Sequence, residues 1–553
     1  MIVFALAFLA NAALAAEPPS CALPPIESTS CVDGALGNAT PASFGALTSA
    51  EVRAIVDAAA ASLDDDAMTV AVVDRAGRVL ALYRKPGADP ANDDRAVGVA
   101  RTAAFFSHDQ APLSSRTVRS ISGVHFPAGV TNAHSGALYG IENTNRGCDL
   151  NVTFNDGKCV PRARSLNGAP CASGDTAGCG PGIVTGKEQP YDGAQLAVNA
   201  GGIPLYRLLD VERLSDGRVV GGIGVVGIDG DSQRAEFAAV TGAFGALNAG
   251  AGAIVPVPRY PLPYPGNVFI EGIRLPFLGS DQKLRFNGDG VPVGLVRLRG
   301  TRAGSADGAY VIEPQHGGCV ANEYLVGPLA GSALTREEVD AVVQRAIRSA
   351  RRTRSAIRLP LDSYARMVIA VADLDGSLLA LYRMPDATVF SIDVAAAKAR
   401  NVIWFSGNGL PGIGRGTTVS NGTIGFGAQP FFPPGLDSPV FRTGAGPFFD
   451  LFVRDLATPC SQGSQPQHAN QNGIVFFPGS TPLARAGRIV AGLGISGDGV
   501  EQDDYVSVLA AGELLPPRAS WADRIVIDRV RLPMFKFPRQ PEGVTECGGK
   551  PCS

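Results

Sequence analysis

The sequence predicts an α/β protein of the α+β type, with two domains that each fold an antiparallel sheet of about five strands with helices packed on it. The first observation behind this prediction is an internal repeat, because residues 73–84 and 372–383 are identical at seven of twelve positions. The second is the order of patterns in each copy: helix, hairpin, helix, long insert, strands, helix and one added strand. Duplication therefore sets the domain count at two.

Each copy begins with a helix that leads into a hairpin. The sequence Thr-x-x-Glu, at 48–51 and again at 335–338, is a capping box that predicts a helix start. Two β-rich runs within 68–84 flank a turn that needs Gly77 for a positive φ, and Gly376 repeats this turn in the second copy.

A second helix and the central strands follow the hairpin. Apolar residues recur at helical spacing from 96 to 104 and from 395 to 403. The runs at 219–226 and 489–495 are apolar on both faces, as central strands are. A further helix is expected after each of these strands.

The repeat divides the chain into two units with flanking segments. The expected boundaries are a signal peptide at 1–16, a Pro-containing linker at 17–46, a first domain at 47–280 with an insert at about 108–200, a linker at 281–333, a second domain at 334–536 with an insert at about 407–478, and a Cys-containing tail at 537–553. A last similarity, between 270–276 and 527–533, falls near the end of each domain. Much of the excess of Gly and Pro falls in the inserts and linkers.

Residues 1–16 are apolar and uncharged and end in small residues, which is typical of a signal peptide. We therefore expect a periplasmic or secreted protein; a buried N-terminal strand or helix is the alternative. Beyond this segment no apolar run approaches the ~20 residues that a membrane-spanning helix needs. Ten cysteines in an exported chain suggest disulfides. The simplest pairings are Cys21 with Cys31, Cys148 with Cys159, Cys171 with Cys179, Cys547 with Cys552, and Cys319 with Cys460.

Composition excludes two classes of protein. Hydrophobic residues make up 45% of the chain and charged residues 18%, with a net charge of -3. This balance fits neither a disordered polyanion nor a nucleic-acid binder, so no nucleic acid is expected as a partner.

Several segments together resemble one known family. They are the capped first helix, the hairpin at 73–84, Ala397–Arg400 in the second helix, the glycine-rich strand at 221–227, and the Gly-x-x-Pro-Leu elements at 201–205 and 479–483. In this combination they are similar to the GlcG/HbpS haem-binding or haem-degrading family. The resemblance implies a profilin-like fold, assembly into homo-oligomers, and haem as a ligand or cofactor.

Residue chemistry and the resemblance together give the candidate ligand-binding residues. These are Arg101, His108, Lys398, Arg400, Gly222, Gly224, Gly492 and Gly494. The arginines occupy matching helix positions and could hold an anionic group such as a haem propionate through their planar donors. His108 is of a type that ligates haem iron, although the second copy has Gly407 in its place. Lys398 stands where the first copy has Val99.

The four glycines formally fit a dinucleotide-binding fingerprint, which requires a strand, a tight turn and a helix in succession. Here they alternate inside a strand-like run, so close packing against a helix is the favoured interpretation. No metal site is assigned, and no catalytic residue is assigned.

Three hypotheses of function follow from this sequence. The leading one is an exported tandem protein that binds haem or another flat, anionic small molecule. The second is an enzyme of haem or small organic acid metabolism, with Lys398 and Arg400 in its pocket. The third is a structural or interaction module without a ligand.

Overall fold

A computed structural model describes eleven ranges and two single positions beyond the first 46 residues. They are 47–75, 77, 79–141, 196–210, 215–228, 232–246, 253–258, 268–278, 302–312, 323–436, 444–457, 462 and 471–544. The predicted signal peptide and all ten cysteines lie outside these ranges, as do the proposed disulfide pairings. No helix within them combines the length and the apolar character needed to cross a membrane.

The first domain has four helices and seven strands among its described residues, and a linker strand joins its sheet. In chain order the elements are α1 Ser49–Ala61, β1 Thr69–Asp74, β2 Val79–Arg84, α2 Asp93–Phe106, α3 Ser115–Ser122, β3 Gly202–Asp210, β4 Ser215–Val226, α4 Ser232–Gly245, β5 Ile254–Val255, β6 Phe269–Ile270, β7 Ile273–Arg274 and, from the linker, β8 Ala309–Ile312.

The second domain repeats this order with one added helix in its insert and without a counterpart of β5 among the described residues, and its own linker strand precedes it. The elements are β9 Glu323–Val326, α5 Arg336–Ala350, β10 Met367–Ala372, β11 Leu378–Arg383, α6 Ser391–Asn408, α7 Asn421–Gly427, α8 Phe449–Ala457, β12 Ser480–Arg485, β13 Arg488–Gly497, α9 Val500–Ala511, β14 Val526–Ile527 and β15 Val530–Arg531.

Each domain folds one antiparallel sheet, which confirms the predicted fold class. The strand order is β5-β3-β4-β1-β2-β8 in the first domain and β12-β13-β10-β11-β9 in the second. The two sheets share their register, because Ala71 lies opposite Gly224 and Ala370 lies opposite Gly494. The segment expected as a linker thus supplies one edge strand to each sheet.

The local predictions for the first helix and the hairpin are confirmed. Both capping boxes form, with Thr48 and Thr335 each bonding the backbone three residues ahead. The hairpin glycines Gly77 and Gly376 have φ of 82° and 83°. A residue with a side chain would be strained there, which is why the turn uses glycine in both copies.

Helices cover both faces of the first sheet. Val70 and Val72 of β1 pack with α1 and α4, whereas Ala71 and Val73 pack on the side of α2, as the two-residue period of a strand requires. The α2 side is also where the two domains meet. There Phe106 stacks on Phe390 of the second domain, with ring centroids 3.9 Å apart.

The repeated segments 270–276 and 527–533 stay apart from the main sheets and form two separate hairpins, β6-β7 and β14-β15. The insert helices hold them there. Thr117 of α3 donates its hydroxyl to the carbonyl O of Pro276 at 2.6 Å, and Thr423 of α7 does the same to Pro533 at 2.7 Å. The two inserts therefore share one attachment to their domains.

Candidate functional site

Arg101 and Arg400 lie at equivalent positions beneath the hairpin turns. The Arg101 Nε donates to the carbonyl O of Gly77 at 2.7 Å, and the Arg400 Nε donates to that of Gly376 at 2.8 Å. Arg400 Nη1 also donates to Asn472 Oδ1 at 2.9 Å. Both guanidinium groups are buried, and each fixes a turn whose backbone conformation leaves the carbonyl in need of a donor. Their predicted role in holding a ligand stays a prediction.

The four candidate glycines share one environment, the contact between the central strand and the second helix of each domain. They are Gly222, Gly224, Gly492 and Gly494. A Cβ on Gly224 would stand 2.1 Å from the carbonyl O of Ala96. The equivalent separation between Gly494 and the carbonyl O of Ala395 would be 2.0 Å. Helix backbone fills the space in front of these glycines, which is the close packing that their alternation indicates, and a ligand contact there remains a prediction.

Lys398 forms a buried cluster with two carboxyl groups of α9. Its Nζ lies 3.0 Å from Asp503 Oδ2 and donates to the carbonyl O of Ile495 at 2.8 Å. The next residue, Asp504, accepts the backbone N–H of Gly479 at 2.7 Å and that of Lys536 at 2.9 Å. All three ionisable side chains are buried.

Burial dominates the protonation of this cluster. Loss of hydration lowers the pKa of Lys398, although Asp503 opposes the shift. The same loss raises the pKa of Asp503 and that of Asp504 to about 7. Groups shifted toward neutrality by burial are typical of functional sites, and they also occur in structural networks.

Sequence reasoning missed Asp503 and Asp504. A difference between the copies could have revealed them, because Lys398 stands where the first copy has the apolar Val99. A buried ammonium at that position needs a carboxylate partner. In the first domain Ala235 occupies the place of Asp503. A Cβ on Gly201 would approach the Ala235 Cβ, and a Cβ on the equivalent Gly479 would approach the Asp503 Cβ.

A second buried cluster joins the two domains around Arg358. Its Nη1 lies 2.5 Å from Asp386 Oδ2, and its Nε bonds Asp498. The backbone N–H of Asp109, from the first domain, donates to Asp386 Oδ1 at 3.0 Å. Burial alone would raise the pKa of Asp386, but Arg358 and Arg366 hold it well below its usual value. The ion pairs lie within the second domain, and the bond from the Asp109 N–H ties them to the first domain.

His108 lies beside this tie and is fully buried. Its Nδ1 accepts the backbone N–H groups of Gln110 at 3.3 Å and Ala111 at 3.1 Å. An Nδ1 that accepts must lack a proton, so a neutral ring carries its proton on Nε2. That Nε2 has no hydrogen-bond partner among the described residues. Burial and then Arg358 lower the pKa of His108 well below its usual value, which keeps the ring neutral.

A surface cleft lies between the two inserts. Its lining includes Val124, His125, Ala133, Gln429, Phe431 and Pro434. The rings of His125 and Phe431 are nearly parallel, with centroids 6.2 Å apart and planes inclined by 26°. These two residues occupy equivalent positions, because residues 125–129 of the first insert align with residues 431–435 of the second. Both copies therefore contribute to the cleft.

With this geometry in place, the comparisons with known proteins identify the family. The model of the haem degrading protein HbpS-like family matches twice, at residues 47–241 and 334–511, which is more than half of the chain. The chain belongs to the HbpS-like family. The first match contains β1 to β4 and the second contains β10 to β13, so the protein is a tandem member of that family.

Solved structures are similar to parts of this HbpS-like chain. PduOC in complex with haem is 18% identical and covers 37% of this chain and 99% of its own, with a TM-score of 0.21. HbpS is 19% identical, with 33% and 92% covered and a TM-score of 0.21. ORFY of Klebsiella pneumoniae is 19% identical, with 32% and 84% covered and a TM-score of 0.21. A comparison with curated proteins finds no match.

Haem needs an axial ligand with an available lone pair and a flat wall for the porphyrin. His108 does not fit the ligand role as it is arranged, because its Nδ1 is engaged and its Nε2 carries the proton. The cleft supplies an imidazole, that of His125, next to the apolar side chains of Phe431 and Val124. Its volume of about 180 Å³ is below the roughly 300–1,000 Å³ of small-molecule sites, so haem would have to open the cleft in order to bind there.

Proposed function

We propose that this tandem HbpS-like protein binds haem or another flat, anionic small molecule. The observation that carries the proposal is the double match to a family described by haem degradation. The haem complex of PduOC is a further reason to test haem first.

The cleft between the inserts is the proposed binding place. The Phe431 ring supplies an apolar wall of the cleft, beside the ring of His125. His125 offers the imidazole that would ligate the iron, and bound haem would supply a visible absorption band at this place. Gln429 and Ser135, which also line the cleft, supply polar groups for the periphery of the ligand.

Titration of the full chain with hemin tests both the ligand and the place. We expect a shifted Soret band for the unmodified protein and at least ~10-fold weaker binding for His125→Ala, which is a loss of about 1.4 kcal/mol. His134→Ala is the matched control, because His134 lies in the same insert but pairs with Glu271 at 2.7 Å. A flat titration of the unmodified protein would remove haem as the ligand. Equal binding by His125→Ala would remove the cleft as its place.

We also propose that the chain is exported to the periplasm or secreted. The support is the composition of residues 1–16 together with the ten cysteines. Fractionation of the native cells, followed by N-terminal sequencing of the protein, tests this proposal. Recovery in the cytoplasm with residues 1–16 intact would contradict it.

A further inference from the structure

The contact between Lys398 and Asp503 brings an amine against a carboxyl group inside the second domain. The side chains are 0% and 2% exposed, and the Lys398 Nζ lies 3.0 Å from Asp503 Oδ2. Asp503 Oδ1 has no hydrogen-bond partner among the described residues. The amine holds the carboxyl group through Oδ2, and the Gly497 N–H also stabilises the charged form of the carboxyl group.

The surroundings of this contact exclude water. The Lys398 Nζ lies 4.9 Å from the centroid of the Phe477 ring, which covers it on one side. A Cβ on Gly479 would stand only 2.4 Å from the same Nζ, so the backbone covers it on another side. Asp504 positions that backbone by accepting the N–H of Gly479 at 2.7 Å.

Two opposite charges in a dry site lose their hydration, and this loss favours their neutral forms. Moving one proton from the ammonium to the carboxylate across the 3.0 Å contact gives a free amine and a carboxylic acid. The free amine is the nucleophilic form of lysine. The dry contact therefore places a nucleophile beside a neutral carboxyl group.

We propose that Lys398 and Asp503 join in an intramolecular amide bond between Nζ and Cγ. The nitrogen lone pair attacks Cγ, and the new N–C bond forms as the C–O bond to one oxygen breaks. That oxygen leaves as water with the carboxyl proton and one proton from Nζ. Atoms balance without an oxidant or any other reactant, and the product ties α6 to α9 covalently.

The chain contains its own controls for this reaction. The first domain has Val99 and Ala235 at the equivalent places and cannot form the bond. Lys536 and Glu501 form an ion pair of similar length, 2.7 Å, but their side chains are 59% and 25% exposed. Hydration keeps that pair charged, so it should stay unlinked.

Peptide mapping by mass spectrometry of the full chain, reduced, alkylated and digested with trypsin, tests the proposal. We expect a branched peptide that joins the segments containing Lys398 and Asp503, with a mass one water below the sum of the two. Trypsin should not cleave after Lys398, whereas Lys536 should appear in linear peptides only. Cleavage after Lys398, with both segments recovered as linear peptides, would overturn the proposal.

Two variants separate the chemistry from the fold. Asp503→Asn keeps the shape of the side chain and can yield the same branched peptide by losing ammonia instead of water. Lys398→Met keeps most of the apolar stem and lacks the amine, so the branched peptide should disappear. A branched peptide that persists in Lys398→Met would show that another residue is linked and would also overturn the proposal.

Discussion

One ion pair occurs in both domains at equivalent positions, yet it lies in two different environments. In the first domain Arg207 pairs with Glu51 through two bonds of 2.7 and 2.9 Å, and the side chains are 2% and 0% exposed. In the second domain Arg485 pairs with Glu338, and the side chains are 48% and 39% exposed. The same sequence motif thus makes an interior contact in one copy and a surface contact in the other.

The difference arises from a strand that lies far along the chain. In the first domain β5 pairs with β3, and Ile254 lies opposite Arg207. In the second domain β12 is the strand equivalent to β3, and it forms the edge of its sheet among the described residues. Burial makes the loss of one partner costly, because the other charge is then left without water or a counter-charge.

At the second helix the two copies differ in the residues themselves, whereas the ion pair keeps its residues and differs in its environment. Lys398 with Asp503 in the second domain replaces Val99 with Ala235 in the first, so both members of a contacting pair have changed together. Contacts that support the fold, such as Arg101 and Arg400 beneath the hairpins, have not changed. The two copies therefore keep one scaffold and differ in the charges that it encloses.

The largest expected effect comes from removing the arginine of the shared ion pair. Arg207→Met should destabilise the first domain by about 3–5 kcal/mol, because it leaves Glu51 buried and unpaired. Arg485→Met, the matched control, should cost about 0–1 kcal/mol. Native-state hydrogen exchange of β1 and β10 amides in the full chain reports each domain separately. Equal costs in the two domains would break the comparison.

The glycines of the central strands should behave alike, since the helix approaches both strands equally. Gly224→Ala and Gly494→Ala place a Cβ about 2 Å from a helix carbonyl, so each should cost about 1–3 kcal/mol through overpacking. Urea unfolding of the two variants measures these costs. A cost in one domain only would show that the helix contact differs between the copies.

Acid should weaken the buried ion pair. Burial alone would raise the pKa of Glu51, but the bonds from Arg207 and the Thr48 N–H outweigh it and lower the pKa. A carboxylate with a lowered pKa contributes stability above its unfolded pKa and loses that contribution as pH falls through the folded pKa, by up to about 1.4 kcal/mol per pH unit. The difference in unfolding free energy between the unmodified chain and Glu51→Gln should therefore shrink toward low pH. A difference independent of pH would contradict this assignment.

The smallest expected effect concerns the helix caps. Thr335→Ala removes the hydroxyl that caps α5 and should cost about 1 kcal/mol. Thr48→Ala should cost more than Thr335→Ala, because the Thr48 hydroxyl also donates to the buried carboxylate of Glu51, at 3.1 Å. Hydrogen exchange of the first turns of α1 and α5 provides the measurement. A smaller cost for Thr48→Ala than for Thr335→Ala would contradict the expected contribution of the bond between Thr48 and Glu51.

The sequence could predict the scaffold because its signals are local or repeated. The capping boxes, the glycine turns and the helical spacing each act within a few residues, and their double occurrence separates signal from chance. The linker strands β8 and β9 escaped prediction because an edge strand is specified by its partner, here β2 and β11. Of the buried cluster formed by Lys398 and Asp503, the sequence singled out only Lys398, whose polar character differs from that of Val99.

The sequence by itself therefore determined two α+β units, their helix starts, their hairpins and their central strands. Only the tertiary structure decided that Arg207 is buried while Arg485 is exposed, that Asp503 meets Lys398, and that His125 faces Phe431 across the inserts. The physical reason is that backbone geometry follows from neighbours in the sequence. The energy of a charge, in contrast, depends on the distant segments that remove it from water.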